Sequence, residues 1–220
     1  MLPAAYLVSL PCFAGSQART SLGCPQSSLR LIRDSKKRIN NTSGVLDQRR
    51  TYSNLPIYDN YESITSEVLN NLLVIQQVSI TQVELERLKK IPGVKYYLPF
   101  DDQSYSSFVS LVGTPKTRGL KAGVYIFTHL VSGSQYVGSS NSLSRRLDQY
   151  FTFKQFNQEN SGQLLPLMKK EGFDKFSLEI FVMPSEFSSD YYFLFLEQYH
   201  LLNKRFNLNT QRIVNFLRRG

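Results

Sequence analysis

Two short β-forming segments joined by a glycine turn, with a basic helix straight after them, constrain this chain more than any other feature. Gly123-Val124-Tyr125-Ile126-Phe127 is β-branched and aromatic, opens on a glycine and runs to about Val131. Ser132-Gly133-Ser134 supplies a hairpin turn, with Gly133 available for positive φ. Gln135-Tyr136-Val137-Gly138 returns as the second strand. Beyond a polar stretch at 139–142, Leu143, Leu147 and Tyr150 recur at helical spacing, with Arg145, Arg146 and Asp148 on other faces. The hairpin sets Tyr125 and Tyr136 on neighbouring strands, each two residues from a glycine, Gly123 or Gly138. Glycine lets a bulky substrate approach the backbone closely. Arg146 starts the helix that leaves the second strand, so its guanidinium can reach over the hairpin. Two phenols and a guanidinium around an accessible surface suit a phosphodiester, because arginine binds phosphate through two parallel N–H groups.

Downstream, Leu164 to Lys170 reads as a short helix stopped by Gly172. Phe176-Ser177-Leu178-Glu179-Ile180-Phe181-Val182 reads as a third strand. Asp190 to Leu202 is a long helix rich in Tyr, Phe and Leu, and Glu197 lies inside it. Four-residue steps align Glu197 with Phe193 and Leu201, both apolar, so this face is not simply solvated. The carboxylate is either on a thin exposed stripe or buried for a purpose. If buried it needs a partner, and a divalent cation would serve.

Charge and cysteine count narrow the classes. Among 220 residues, Lys and Arg number 26 and Asp and Glu 17, a formal net charge of +9. That balance favours a polyanionic partner, nucleic acid or an anionic membrane surface. No apolar run approaches the roughly 18 residues needed to cross a bilayer. Two cysteines, Cys12 and Cys24, exclude a disulfide scaffold and a four-ligand zinc knuckle. With His129 and His200 expected to be packing residues, a catalytic metal would be a hard cation on oxygen ligands.

Residues 1–55 differ in composition from the rest. Asp34 is the first acidic residue, while Arg19, Arg30 and Arg33 stand before it among serines. That composition is what an organelle transit peptide shows, although a segment with no role would look similar. Residues 56–103 read as a helical accessory region: helical spacing from Ile64 to Gln77, then a capping box at Thr81-Gln82-Val83-Glu84 opening a helix stopped by Pro92-Gly93. Val94–Phe100 reads as a short strand. Lys89, Lys90 and Lys95 allow the region to dock on DNA or RNA. Residues 104–120 are polar, with Gly113, Pro115 and Gly119, and read as a linker. The expected fold class is therefore α/β. It consists of a small antiparallel sheet of three strands flanked by helices at 121–212, a helical N-terminal extension and a basic tail at 213–220.

Gly123-Val124-Tyr125, ten residues, Tyr136-Val137-Gly138, and Arg146 ten positions after Tyr136 together resemble the GIY-YIG nuclease superfamily. The resemblance runs from Gly123 to about Thr210. Its finer texture, Gly113-Thr114-Pro115-Lys116 and Tyr136-Val137-Gly138-Ser139-Ser140, is similar to the group I intron-encoded homing endonucleases of fungal mitochondria. It implies DNA as partner, with intron RNA as a second candidate, and a metal-dependent endonuclease using Mg²⁺ or Mn²⁺. It implies Glu197 as metal ligand, Arg146 on a nonbridging phosphate oxygen, and Tyr125 and Tyr136 as general base and water-orienting group. Tyr150, one turn after Arg146, is expected on the phosphate, and Asn207 matches an Asn that the family carries near the site. Intron-encoded relatives carry a DNA-recognition region after the nuclease module. Here Arg212, Arg218 and Arg219 give only a basic finish, so specificity is expected from the N-terminal region or a partner, or else the reading frame is shortened and the protein a remnant. A splicing helper on the same scaffold and a structure-specific repair nuclease are the rival readings. A free phenol has a pKa near 10, so about 0.1% is ionised at pH 7, a penalty of roughly 4 kcal/mol. Arg146 and the metal are expected to lower it.

Overall fold

The computed structural model describes residues 55–74, 77–116, 120–152, 162–187 and 191–214. The transit-like composition at 1–50 and the basic tail from 215 lie outside the described residues. The fold is α/β, with six α-helices and one antiparallel sheet among the described residues.

In chain order the helices and strands are α1 (Ser66–Leu73), α2 (Gln82–Lys89), β1 (Val94–Tyr97), α3 (Asp102–Val112), β2 (Gly123–His129), β3 (Gln135–Ser140), α4 (Leu143–Phe151), α5 (Leu164–Glu171), β4 (Phe176–Val182) and α6 (Tyr192–Leu201). The sheet has four strands rather than the expected three, in the order β1-β4-β2-β3. The extra strand comes from the accessory region: β1 pairs antiparallel with β4, Tyr96 opposite Leu178. It stops at Tyr97, short of the expected Phe100, where Pro99 has no N–H to offer a ladder.

Local signals set most boundaries. Thr65 caps α1 by accepting from the Val68 N–H. At α2 the capping box forms as expected. The Glu84 N–H donates to Thr81 Oγ1 at 3.2 Å and the Thr81 N–H to Glu84 Oε2 at 2.8 Å. The expected linker is corrected over its first half. Asp101 caps α3 by accepting from the Ser104 N–H, and Phe108 and Val112 of α3 enter the core. The serines of this stretch lie on the outer face of α3, and their polarity disguised its apolar one. Gly113, at φ 81°, closes the helix.

The sheet is the middle of three layers. Val124, Ile126 and Val137 face α1, α2 and α6, with Leu69, Leu73, Leu85, Leu88 and Phe195 in the same cluster. Tyr125, Phe127, Leu178 and Ile180 face the other way, toward Phe108 of α3, Leu143 and Leu147 of α4, and Met168 of α5. Strand alternation sends neighbouring residues to opposite layers. Residues 56–103 therefore share a sheet and two cores with the hairpin module. Both histidines are packing residues, as expected: His129 Nδ1 lies 2.8 Å from Ser132 Oγ, and His200 Nδ1 lies 3.1 Å from the Tyr61 hydroxyl.

Candidate active site

β3 is an edge strand, and the site is built around it. Tyr125 of β2 lies opposite Gly138 of β3, and Tyr136 lies opposite Phe127. Both tyrosines project into the layer occupied by α4. The Tyr125 ring is buried, between Phe127 at 5.9 Å and Tyr150 at 5.8 Å centroid to centroid. Arg146, in the first turn of α4, donates from Nε to the Tyr125 hydroxyl at 3.0 Å and from Nη1 to Gln149 Oε1 at 3.1 Å. Its guanidinium lies over the Tyr150 ring, 5.3 Å from the centroid. The Tyr150 hydroxyl stands between the other two phenols, 3.2 Å from Tyr125 and 3.5 Å from Tyr136.

The phenols beside Arg146, Tyr125 first, hold its guanidinium above the ordinary value against the pull of burial, so it stays cationic. Arg146 does not win the reverse contest. Burial pushes the Tyr136 hydroxyl well above the usual phenol range, Tyr125 adds to that, and the hydrogen bond to Tyr150 and the Arg146 charge only partly offset it. Burial likewise raises Tyr150. At Tyr136 the Arg146 charge lowers the phenol, in the expected direction, but less than burial raises it.

Glu197 comes from the other side of the sheet. Seven residues of α6 besides Glu197 are buried, from Phe193 to Leu196 and again at Gln198, Tyr199 and Leu201. A helix apolar on nearly all sides has no solvated stripe for a carboxylate, which resolves the two readings of this residue: Glu197 is 9% exposed. Ser139 of β3, 5% exposed, donates its hydroxyl to Glu197 Oε2 at 2.5 Å. The wall beyond is the chain after α6, clamped by Gln198, which donates from Nε2 to the Arg212 carbonyl and accepts the Val214 N–H.

Together these groups line one cleft of about 300 Å³, with Tyr125, Tyr136, Gly138, Ser139, Arg146, Glu197 and Asn209 in its walls. Among the described residues no group of three or more His, Cys, Asp or Glu is placed to hold a metal. Glu197 gives the cleft one carboxylate, a donor a hard cation such as Mg²⁺ accepts when water and phosphate oxygens fill its other positions.

Four expected binding residues fall elsewhere or do something different. Gly123 is outside the cleft, and a Cβ there would run into the Phe181 carbonyl and lie 2.7 Å from Leu143 Cδ1. Gly138 borders the cleft, but its missing side chain makes room for protein rather than substrate, since a Cβ would stand 2.5 Å from the Tyr125 hydroxyl. Tyr150 is buried beneath the tyrosines and bonds them rather than lining the cleft. Asn207 is exposed and donates to Ser134 Oγ at the far end of the hairpin, 3.1 Å away.

The asparagine at the cleft is Asn209. Its side chain accepts the Val137 N–H at 2.9 Å and donates to the Val137 carbonyl at 2.8 Å, occupying the open edge of β3 as a neighbouring strand would. The sequence signal for it is the alternation Phe206-Asn207-Leu208-Asn209, whose apolar members are both buried. Alternation alone leaves two asparagines to choose from. Gln149 and Asn209 are thus the site residues that sequence reasoning missed, whereas Ser139, directly after the second motif, reads from the sequence as non-catalytic. Arg212, expected as part of a basic finish, is half-buried and donates to the Leu201 and Asn203 carbonyls beyond α6.

Residues 121–209 match the family model of the GIY-YIG catalytic domain. The match supports assigning this segment to the GIY-YIG nuclease superfamily. No curated protein and no solved structure matches the chain.

Proposed function

Taking residues 121–209 as a GIY-YIG nuclease module, we propose that the chain is a metal-dependent endonuclease that hydrolyses DNA phosphodiester bonds. The observation that carries the reading is the single cleft into which Tyr125, Tyr136, Arg146 and Glu197 converge from four different elements. Hydrolysis needs a deprotonated water, stabilisation of a doubly charged transition state and neutralisation of the leaving 3′-oxygen. Glu197 would hold a divalent cation, which would supply Lewis-acid stabilisation of that oxygen. Arg146 has one N–H on Tyr125 and another on Gln149, which hold the guanidinium plane and leave its other donors for a nonbridging phosphate oxygen. Tyr125, tied to Arg146, is the group we assign to take the water proton. Tyr136, whose raised pKa keeps it protonated, orients the water by hydrogen bonding.

The finer reading is an intron-encoded homing endonuclease acting in mitochondria. The motif texture from Gly113 to Lys116 and from Tyr136 to Ser140 supports the first part, and the acid-poor composition of residues 1–50 the second. Nicking of supercoiled plasmid with Mg²⁺ or EDTA, beside Glu197→Ala and Arg146→Ala, tests the activity. Metal-dependent nicking that both variants lose is the expected result. Preference for branched over linear DNA would assign a structure-specific repair nuclease instead. A folded protein that binds intron RNA and cuts no DNA would assign a splicing helper. Imaging of a fluorescent fusion to residues 1–50 checks the location.

A further inference from the structure

We infer that Ser139 is a positioning residue for the metal ligand: its hydroxyl holds Oε2 of the Glu197 carboxylate and so sets the orientation in which the group meets the cation. The inference rests on the nuclease reading. Ser139 occupies a strand position opposite Val124, and its side chain alternates with Val137 onto the α6 side of the sheet. Ser139 shares its face of the sheet with Val124 and Val137, and it lines the cleft beside Glu197 and Leu201. A buried hydroxyl in such a layer is costly unless it is hydrogen-bonded, and a residue chosen for packing alone would be apolar. Here the hydroxyl donates to Glu197 Oε2 at 2.5 Å.

The geometry has a specific consequence. A carboxylate offers about four lone-pair sites on two oxygens. Ser139 occupies one site on Oε2 and so limits rotation of the carboxylate about the Glu197 side-chain torsions. The bond also crosses layers, from the edge strand to α6, so it ties the carboxylate to the same strand that carries Tyr136 and Gly138. Partners that orient ligating carboxylates change metal affinity by about 10–100-fold when removed. The expected effect of losing Ser139 is therefore weaker metal binding rather than a slower chemical step at saturating metal.

Mn²⁺ titration of the full chain, followed by the electron paramagnetic resonance of free Mn²⁺, reads this without turnover. Wild type, Ser139→Ala, Ser139→Thr and Glu197→Gln would be compared, each with its melting temperature. Expected is binding by wild type, loss in Glu197→Gln, binding about 10-fold or more weaker in Ser139→Ala, and recovery in Ser139→Thr, which keeps the hydroxyl. The midpoint of a Mg²⁺ titration of nicking should move by the same factor, with kcat recovered at high Mg²⁺. Ser139→Ala binding Mn²⁺ as wild type does, or losing kcat at every Mg²⁺ concentration with no midpoint shift, overturns the role of Ser139 alone. A folded Ser139→Thr that binds as weakly as the alanine variant does so too. If Ser139→Thr melts, the midpoint shift in Ser139→Ala decides. A wild type that neither binds Mn²⁺ nor cuts DNA overturns the nuclease reading with it.

Discussion

Gly138→Ala puts the sharpest number on the site. A Cβ at 138 would stand 2.5 Å from the Tyr125 hydroxyl oxygen and 2.6 Å from its Cζ, whereas ordinary contact begins near 3.4 Å. The ring must give by about 0.9 Å, the difference between 3.4 and 2.5 Å. It cannot retreat freely, because Phe127 and Tyr150 pack against it and Arg146 Nε holds its hydroxyl at 3.0 Å. Overpacking of this kind costs about 1–3 kcal/mol. A displacement near 1 Å of a reacting group costs about 100-fold in rate. Urea unfolding without DNA should thus show a loss of about 1–3 kcal/mol, and single-turnover nicking should fall by about two orders of magnitude at saturating DNA. Gly133→Ala is the control, a positive-φ glycine with open space around it, which should cost stability but leave nicking within a few-fold. If Gly138→Ala leaves stability unchanged and only weakens DNA binding, the glycine makes room for the substrate and not for the Tyr125 ring.

Other outcomes follow from groups around the site. Burial lowers the His200 pKa from 6.5 to about 4, and its Nε2 is buried without a partner. The unfolded chain therefore takes up a proton below pH 6.5 that the folded one refuses, and stability should fall by about 2 kcal/mol between pH 7.5 and pH 5. Urea titrations at the two pH values check this, and His200→Phe should flatten the difference. A phenolic base makes nicking rise with pH, because the phenolate fraction grows tenfold per unit below its pKa. A flat profile between pH 6 and 9 would rule that base out. Asn209→Ala should cost about 1–3 kcal/mol by exposing both backbone groups of Val137, whereas Asn207→Ala should stay within about 0.5 kcal/mol. Equal effects in urea unfolding would refute the assignment of Asn209 to the edge.

Periodicity and glycine punctuation made the hairpin, α4, β4 and α6 readable, because each residue there answers to one local rule. The capping box at Thr81 worked for the same reason. What stayed illegible depended on pairing across the chain. β1 is four residues long, and its own sequence does not say that β4 will accept it. α3 carries four serines on an outward face that mimics a linker. At the site, Arg146 and Glu197, singled out by the spacing of the motif resemblance, both line the cleft. Residue type failed for Asn207 and Asn209, equal in chemistry and two positions apart, which only the edge of β3 distinguishes. The glycines were located correctly and assigned the wrong neighbour, since nothing local to Gly138 announces the ring of Tyr125.

The sheet acts as a partition through the middle of the residues that line the cleft. Phenols and guanidinium belong to the layer of α4, the carboxylate to the layer of α6, and they meet only around the rim formed by β3. The two halves therefore answer to different cores. Damage confined to the α6 side, at Leu201 or Phe206 for instance, would silence cutting while the opposite layer kept its hold on a phosphate. A chain of this architecture lies one weakened layer away from being a clamp on DNA rather than a blade.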